Sequence, residues 1–198
     1  MILISCKNKD IIIKNYLLIG DKMKVLGIVG SPRKDGNCDV LVKEFLDAVD
    51  AETEYIFLNE KDLAGCNACM GCVEGDCVIP DDGNEIIKAL LDADVLVFSS
   101  PIYYGQITAQ AKSFIDRFYQ ISRNPNKSLE GKKVVTIFTQ AQPEDVFGQY
   151  IESFKTMPFG FMGMEVVGNV TAMGTQQKGD VDELQKYIDE VKEIASNL

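Results

Sequence analysis

The sequence predicts an α/β protein built on one open parallel sheet. From Lys24 onward, short apolar runs alternate with amphipathic stretches of helical spacing, which is typical of repeated βα units. The length of 198 residues and the 46% hydrophobic content suit a single hydrophobic core. No internal repeat, low-complexity block or second domain interrupts the pattern. We therefore expect one domain over residues 23–198.

Five strands and five helices are predicted along this domain. The strands are the runs KVLGIV, EYIFL, VLVFSS, KVVTIFT and MEVVGNVTA. The helices are DVLVKEFLDAV, NEIIKALLDA, TAQAKSFIDRFYQI, EDVFGQYIESF and VDELQKYIDEVKEIAS, with apolar residues at helical spacing. Residues 122–133 are expected to form a polar loop before the fourth strand. Within the third helix, Lys112, Asp116 and Arg117 are interpreted as a solvated face.

Residues 1–22 stand outside this pattern, which becomes regular only at Met23. The segment LISC at residues 3–6 resembles a lipoprotein cleavage box, but it lacks the basic residues and the long apolar stretch that precede one. No apolar run near it reaches the roughly 18 residues that a membrane span needs. We expect residues 1–22 to be an appendage, and we favour a misassigned start over a short extra strand or helix on the surface.

The charge balance excludes two classes of partner. The chain carries 30 acidic and 20 basic side chains, which gives a formal net charge of -10. A polyanion such as nucleic acid, or an anionic membrane surface, would be repelled by this charge. We therefore expect no nucleic-acid and no membrane partner.

The loop after the first strand has the features of a phosphate-binding site. Ser31 and Asn37 offer neutral donors, Arg33 offers a charge that can fork onto two phosphate oxygens, and Gly36 lets the backbone bend. The predicted helix begins directly afterwards, so its unpaired N–H groups face the same place. Neither a Walker A loop nor a dinucleotide fingerprint is present. The alternative is an ordinary strand-to-helix turn, which explains Gly and Pro but not the polar and charged set.

The loop after the third strand has the features of a site for a planar ring. Pro101 and Gly105 shape a turn, while Tyr103 and Tyr104 offer flat apolar faces with polar tips. In an open parallel sheet, ligands bind beyond the carboxyl ends of the strands, and both loops lie there. Taken alone, the two tyrosines are equally well explained as caps over the core.

These two loops resemble those of the flavodoxin-like NAD(P)H-dependent FMN reductases. The segments KVLGIVGSPRKDGN and SSPIYYGQITAQAKSFIDRF carry the resemblance, which extends over residues 23–198. It implies a doubly wound sheet of strand order 2-1-3-4-5 with helices on both faces. It also implies bound FMN, held by the residues of three loops: Ser31, Arg33, Asn37 and Cys38 at the phosphate, Pro101, Ile102, Tyr103, Tyr104 and Gly105 along the isoalloxazine, and the segment from Thr139 through Gln140 and Ala141 to Gln142 at the ring or ribityl chain. Family members usually carry Thr or Ser where Cys38 stands, so a weak thiol donor replaces a hydroxyl.

Four of the six cysteines fall within residues 66–77, in the spacing C-x2-C-x2-C-x4-C. This loop follows the second strand, so we expect it at the same edge of the sheet as the ring site. Disulfides are disfavoured, because a chain without a secretion signal is expected to be cytosolic, where thiols stay reduced. Zinc sites usually join two separated C-x-x-C pairs, whereas a compact run suits an iron–sulfur cubane. Zinc and free thiols stay open as alternatives.

The compact cysteine segment is similar to that of the iron–sulfur flavoproteins, a branch of the same family. The resemblance implies a [4Fe-4S] cluster beside FMN, ligated by Cys66, Cys69, Cys72 and Cys77. It further implies an electron-transfer oxidoreductase that takes electrons from NAD(P)H or ferredoxin and passes them to a quinone or an oxygen species. The cofactors carry the chemistry, so no side chain is assigned as a catalyst. The alternatives are an NAD(P)H-dependent FMN or quinone reductase without a cluster, and an electron carrier that turns over no substrate.

Residues 154–164, FKTMPFGFMGM, are polar in only two places. Core or loop packing explains any single residue of this segment. A run this apolar near the last strand also suits a subunit interface. We therefore expect a homodimer or homotetramer.

Overall fold

A computed structural model describes residues 22–198 of the chain. The prediction of an N-terminal appendage, apart from Lys22, lies outside the described residues. Five strands form one sheet in the order β2-β1-β3-β4-β5, and every neighbouring pair is parallel. The predicted fold class and strand order are confirmed. The strands are β1 (Lys24–Val29), β2 (Glu52–Phe57), β3 (Val95–Pro101), β4 (Lys133–Gln140) and β5 (Glu165–Met173).

Within residues 22–198, six α-helices connect and follow the strands. No helix in residues 22–198 has the length and apolar character to cross a membrane. The third and fourth predicted helices differ from expectation, because TAQAKSFIDRFYQI is divided into two helices and EDVFGQYIESF shrinks to one turn followed by a 3₁₀ turn. The helices are α1 (Asn37–Ala48), α2 (Gly83–Asp92), α3 (Ala109–Asp116), α4 (Tyr119–Ser122), α5 (Gly148–Glu152) and α6 (Gln185–Ser196).

The start of α3 is attached directly to the first loop. The Thr108 hydroxyl caps the helix by accepting from the Ala111 N–H at 3.1 Å, as a threonine at this position commonly does. The same hydroxyl donates to the main-chain oxygen of Gly30. A Cβ at Gly30 would lie 2.6 Å from the Ala111 Cβ, so the glycine permits this close approach. The first loop and the α3 end are therefore held together.

Helices cover both faces of the sheet, which explains why the central strands are continuous apolar runs rather than alternating ones. On one face, α1 and α6 pack over Val25, Val97 and Val170. On the other face, α2 and α3 pack over Ile28 and Phe98 together with a cluster of phenylalanines. With both faces buried, the loops at the carboxyl edge are the part of the sheet that is open to ligands.

Candidate functional site

A cleft opens at the carboxyl edge of the sheet, where the loops after β1, β3, β4 and β5 meet. The structure brings ten of the thirteen predicted cofactor-binding residues into its lining, while Tyr104, Gly105 and Gln142 lie outside that lining. The ten are Ser31, Arg33, Asn37, Cys38, Pro101, Ile102, Tyr103, Thr139, Gln140 and Ala141.

The loop after β1 ends at the N-terminus of α1. Gly36 precedes the helix, and no side chain caps the first-turn N–H groups, so these donors are available to an anion. Two side chains of this loop are oriented by the chain after β5. The Arg33 guanidinium donates to the Gln176 main-chain oxygen at 2.8 Å, and the Asn37 amide donates to that of Gln177 at 2.9 Å. The charge and the open N–H groups therefore line one end of the cleft.

Asp39 stands in the same first turn but does not oppose an anion, because its carboxylate is buried and bonded elsewhere. It accepts from the Tyr55 hydroxyl at 2.7 Å and from Lys43 Nζ at 3.1 Å. Burial and the hydrogen bond to Asp39 raise the pKa of Tyr55, which keeps the phenol protonated as a donor. The negative charge of Asp39 is thus compensated inside the fold.

Cys38 lies at the bottom of the cleft as a buried thiol. Its Sγ is 3.3 Å from the hydroxyl oxygen of Thr139, and either atom can be the donor. Burial raises the pKa of Cys38 to about 12, with the Thr139 hydrogen bond acting in the opposite direction. The group is therefore a neutral thiol at physiological pH and not a nucleophilic thiolate.

The ring side of the cleft is bounded by a tight turn at residues 103–106. Tyr103 and Gln106 exchange main-chain hydrogen bonds of 2.8 and 3.1 Å, and both central residues have positive φ, 51° at Tyr104 and 80° at Gly105. This is the backbone pattern of a two-residue type I′ loop. A tyrosine at positive φ is strained, and strain of this kind clusters at functional sites. The turn directs the fully exposed Tyr104 side chain into solvent and leaves Tyr103 at the cleft.

Gln140 lines the cleft and contains a buried acceptor. Its amide nitrogen donates to the main-chain oxygens of Gln142 and Glu144. Its Oε1 finds no partner among the residues described, although the side chain is only 2% exposed. A buried acceptor of this kind is costly unless a donor reaches it. A ligand with N–H or O–H groups satisfies that requirement.

Sequence reasoning missed the contribution of the chain after β5. This segment, residues 174–179, is a polar run at the carboxyl end of a strand, so the edge argument applied to the first and third strands would have found it. The cleft residues absent from the prediction are Gly36, Thr175, Gln176, Gln177 and Lys178.

The four cysteines of residues 66–77 line a second, smaller cavity. The lining residues of this cavity and of the cleft do not overlap. The cysteines face the residues that follow α3, whereas the first loop contacts the beginning of α3, and eight helical residues span roughly 12 Å. The cysteine cavity and the cleft are therefore two distinct sites, and the expected position of the loop at the carboxyl edge stays a prediction. Within residues 22–198 all five cysteines are free thiols, and no group of three potential ligands is close enough to hold a metal ion.

Polar side chains from two neighbouring segments hold the cysteine loop in place. Asn84 of α2 accepts from the Cys77 N–H at 3.1 Å and donates to the Cys77 oxygen at 2.8 Å. Asn124, after α4, donates to the Gly75 oxygen at 2.9 Å. Left-handed backbone occurs at Ala68 and Met70, with φ of 50° and 63°. The loop thus has a defined conformation fixed by its surroundings.

Arg117 is not part of a solvated face, and that interpretation is wrong. Lys112 and Asp116 do form an exposed ion pair, but Arg117 is only 1% exposed and donates to Asp81 at 2.7 Å. Burial alone would raise the pKa of Asp81, yet the Arg117 bond and two main-chain N–H donors hold it below its usual value. Arg117 also donates to the Ala64 oxygen at 3.3 Å, just before the first cysteine of the loop. Arg117 lies at the break between α3 and α4.

Comparison with known proteins gives a consistent family. The family model described as NADPH-dependent FMN reductase matches residues 23–178. An iron–sulfur flavoprotein of Methanocaldococcus jannaschii is 46% identical over 99 residues, 48% of this chain and 51% of that protein. One from Archaeoglobus fulgidus is 34% identical over 70% of this chain and 67% of its own length. A putative NAD(P)H-dependent FMN-containing oxidoreductase of Bacillus subtilis is 30% identical over 80% and 89%. The chain thus spans about half to two thirds of the two iron–sulfur flavoproteins.

The fold also occurs among solved structures. An FMN-dependent NADH-azoreductase from Bacillus anthracis, solved in complex with FMN, superimposes with a TM-score of 0.66. The match covers 88% of this chain and 98% of the azoreductase at 20% sequence identity. At that identity the likeness establishes the common fold.

Proposed function

The chain belongs to the NADPH-dependent FMN reductase family, whose members are flavin-dependent oxidoreductases, and from this premise we propose that it is an electron-transfer oxidoreductase containing FMN and a [4Fe-4S] cluster. Bound FMN can accept a hydride and release its electrons one at a time, and a cluster can transfer single electrons. The pair together would couple two-electron donors to one-electron acceptors.

The cleft at the carboxyl edge is the observation that carries this proposal. Its Arg33 charge and the open N–H groups of α1 suit a terminal phosphate. Its Gln140 oxygen offers the buried acceptor that the N–H and hydroxyl groups of FMN satisfy. Tyr103 supplies an aromatic wall for a planar ring. The residues present therefore fit FMN at both its charged and its flat end.

The cysteine cavity supports the second cofactor. Cys66, Cys69, Cys72 and Cys77 all line it, and the archaeal relatives are named iron–sulfur flavoproteins. Arg117 and Gln120 of the cavity lining contain buried N–H groups for which no acceptor is found among the described residues, and this fits an occupant rich in sulfur. To hold a cluster, the four thiols must gather around one small object, more closely than any three ligands are gathered among the described residues.

We propose NAD(P)H or ferredoxin as the electron donor and a quinone or an oxygen species as the acceptor. Since the chain has no histidine, protons move through carboxylates, tyrosines, water or the flavin itself. The test is the absorption spectrum of anaerobically purified protein, with iron, sulfide and FMN assays and steady-state NAD(P)H oxidation. Stoichiometric FMN, iron and sulfide with turnover support the proposal, whereas FMN alone contradicts the cluster.

A plain NAD(P)H-dependent FMN or quinone reductase is the second candidate. The observation in its favour is that the part of the chain described here gathers no three ligands closely enough for a metal ion. The Bacillus subtilis relative carries an FMN-containing oxidoreductase name without mention of iron. Under this alternative the protein oxidises NAD(P)H without bound iron. A passive electron carrier, by contrast, would not turn over NAD(P)H, with or without iron.

Replacing Cys38 with serine is expected to tighten FMN binding a few-fold. A hydroxyl is a stronger hydrogen-bond donor than a thiol, and the position lies in the first turn of α1 beside the proposed phosphate site. Thr139, at 3.3 Å, can still pair with the new hydroxyl. Fluorescence titration of the apoprotein with FMN measures the change, and weaker binding by the serine variant would refute the assignment of Cys38 to the phosphate end.

We propose that the protein is a homodimer or homotetramer that buries part of residues 154–164. Phe154 and Phe159 of this segment belong to the core, while Met157 and Phe161 are 54% and 68% exposed. Sedimentation at micromolar concentration should give an oligomeric mass for the FMN-bound protein, and Phe161→Glu should shift it toward monomer. Lys155→Glu, in the same segment, is the charge control. A strictly monomeric wild type would remove this proposal.

A further inference from the structure

Two buried side chains beside the cysteines have unused hydrogen-bonding groups. Arg117 and Gln120 both line the cysteine cavity and are 1% and 2% exposed. Within the described part of the chain, no partner is found for Arg117 Nε and Nη2, nor for Gln120 Nε2 and Oε1. Buried polar groups are nearly always paired, because an unpaired one loses the full free energy of its hydration. These nitrogens therefore require an acceptor that residues 22–198 do not supply.

The position of the guanidinium is fixed by its other contacts. Its Nη1 is bonded to Asp81 and to the Ala64 oxygen. A Cβ at Gly83 would lie 2.3 Å from Nη2 and 2.4 Å from Cζ, so the guanidinium rests directly on the glycine backbone. Arg117 cannot turn away to find another acceptor without breaking the Asp81 pair, so its free N–H groups stay buried in a side chain that lines the cavity.

The unpaired atoms favour an anionic occupant. Three nitrogens with N–H groups stand against a single unpaired oxygen, and the cavity carries four cysteine side chains. Thiolates and inorganic sulfides accept hydrogen bonds, and four thiolates around a cluster give it a negative charge that reduction increases. Donors directed at sulfur stabilise the reduced form more than the oxidised form, because the reduced form bears more charge.

We propose that Arg117 and Gln120 donate hydrogen bonds to the sulfur atoms of the cluster and raise its reduction potential. This inference rests on the proposed function, since it assumes the cluster in the cysteine cavity. Arg117 contributes charge and direction, with Asp81 as its only ionic partner in the described structure. Gln120, in α4, contributes a neutral donor. Both residues thus set how easily the cluster accepts an electron.

The experiment compares the cluster potential of variants by spectroscopically monitored redox titration under anaerobic conditions. Gln120→Met removes the donor at nearly constant size and is expected to shift the one-electron reduction equilibrium about tenfold toward the oxidised form, as for the loss of one hydrogen bond to a charged group. Arg117→Lys keeps the positive charge but loses the several N–H donors of the guanidinium, and it is expected to shift the reduction equilibrium in the same direction. Gln110→Met, on α3 outside the cavity, and Lys112→Gln are matched controls that should leave the potential unchanged.

Folding and metal content separate the possible outcomes. FMN binding reports folding, because neither residue lines the cleft. Should Arg117→Lys fail to fold, Gln120→Met decides alone. Wild-type protein with iron and sulfide whose potential is unchanged in the folded variants overturns this inference and leaves the proposed function standing. Wild-type protein that purifies with FMN but without iron, or with zinc in its place, overturns the cluster proposal and this inference together.

Discussion

Replacing Arg33 with alanine is expected to weaken FMN binding roughly tenfold to hundredfold. The guanidinium is held at the cleft by its bond to the Gln176 oxygen and lies at the N-terminus of α1. A charge-assisted hydrogen bond contributes about 1.5–3 kcal/mol, which corresponds to that range of affinity. Titration of the apoprotein with FMN, followed by flavin fluorescence, gives the two dissociation constants.

Riboflavin is the ligand control, because it has the same ring and ribityl chain without the phosphate. The Arg33 variant should lose far less affinity for riboflavin than for FMN. Lys34→Ala is the matched protein control, since Lys34 is the adjacent cation but pairs with Glu60 and does not line the cleft. If the Arg33 variant lost equal affinity for FMN and riboflavin, the phosphate would have to bind elsewhere. If Lys34→Ala weakened FMN binding as much as Arg33→Ala, Arg33 would act only through its charge at a distance.

The fold was predictable because its signals are local and periodic. Runs such as KVLGIV and VLVFSS are buried on both faces and therefore apolar throughout, and they match β1 and β3 closely. The break between α3 and α4 was harder to predict. Phe114 and Phe118 belong to one core, so the helical spacing of apolar residues continues across the break. Arg117 lies at this break and is buried in a tertiary contact with Asp81, which no local pattern encodes.

The cleft was partly predictable from the position of its loops. Loops at the carboxyl ends of parallel strands meet by topology, so Ser31, Pro101 and Thr139 converge without any knowledge of contacts. The direction of a side chain within a turn is not encoded in this way. Tyr103 and Tyr104 are adjacent and chemically identical, yet the positive φ values of the turn separate their environments.

The path of the cysteine loop was not predictable, because it depends on long-range polar contacts. Asp81 and Arg117 are 36 positions apart in the chain, and Asn124 bonds to Gly75 across 49 positions. These contacts hold the loop and its flanking residues against Arg117 and Asn124. The spacing of the cysteines identifies a set of ligands but carries no information about the surface against which they pack.

Replacing Cys69 with serine is expected to remove iron from the protein while FMN stays bound. Cys69 lines the cysteine cavity, and the lining of that cavity includes none of the cleft residues that suit the phosphate and the ring. Reduction of the flavin by a two-electron donor should therefore survive in the variant. Transfer to one-electron acceptors should slow markedly, because this is the step for which a one-electron cofactor is proposed. Iron and FMN assays, with rates for one-electron and two-electron acceptors, measure the separation.

Cys38→Ser is the matched control, since it makes the same thiol-to-hydroxyl change in the other site. Cys38 contacts Thr139 inside the cleft and lies outside the cysteine cavity, so this variant should keep its iron and change only in its affinity for FMN. The two serine variants together therefore assign each cofactor to its own loop. Retention of iron by Cys69→Ser, or an unchanged one-electron rate after iron is lost, would make the cysteines structural and leave the plain flavin reductase as the better description. Loss of FMN together with iron would show instead that the two loops depend on each other through α3, despite their separate linings.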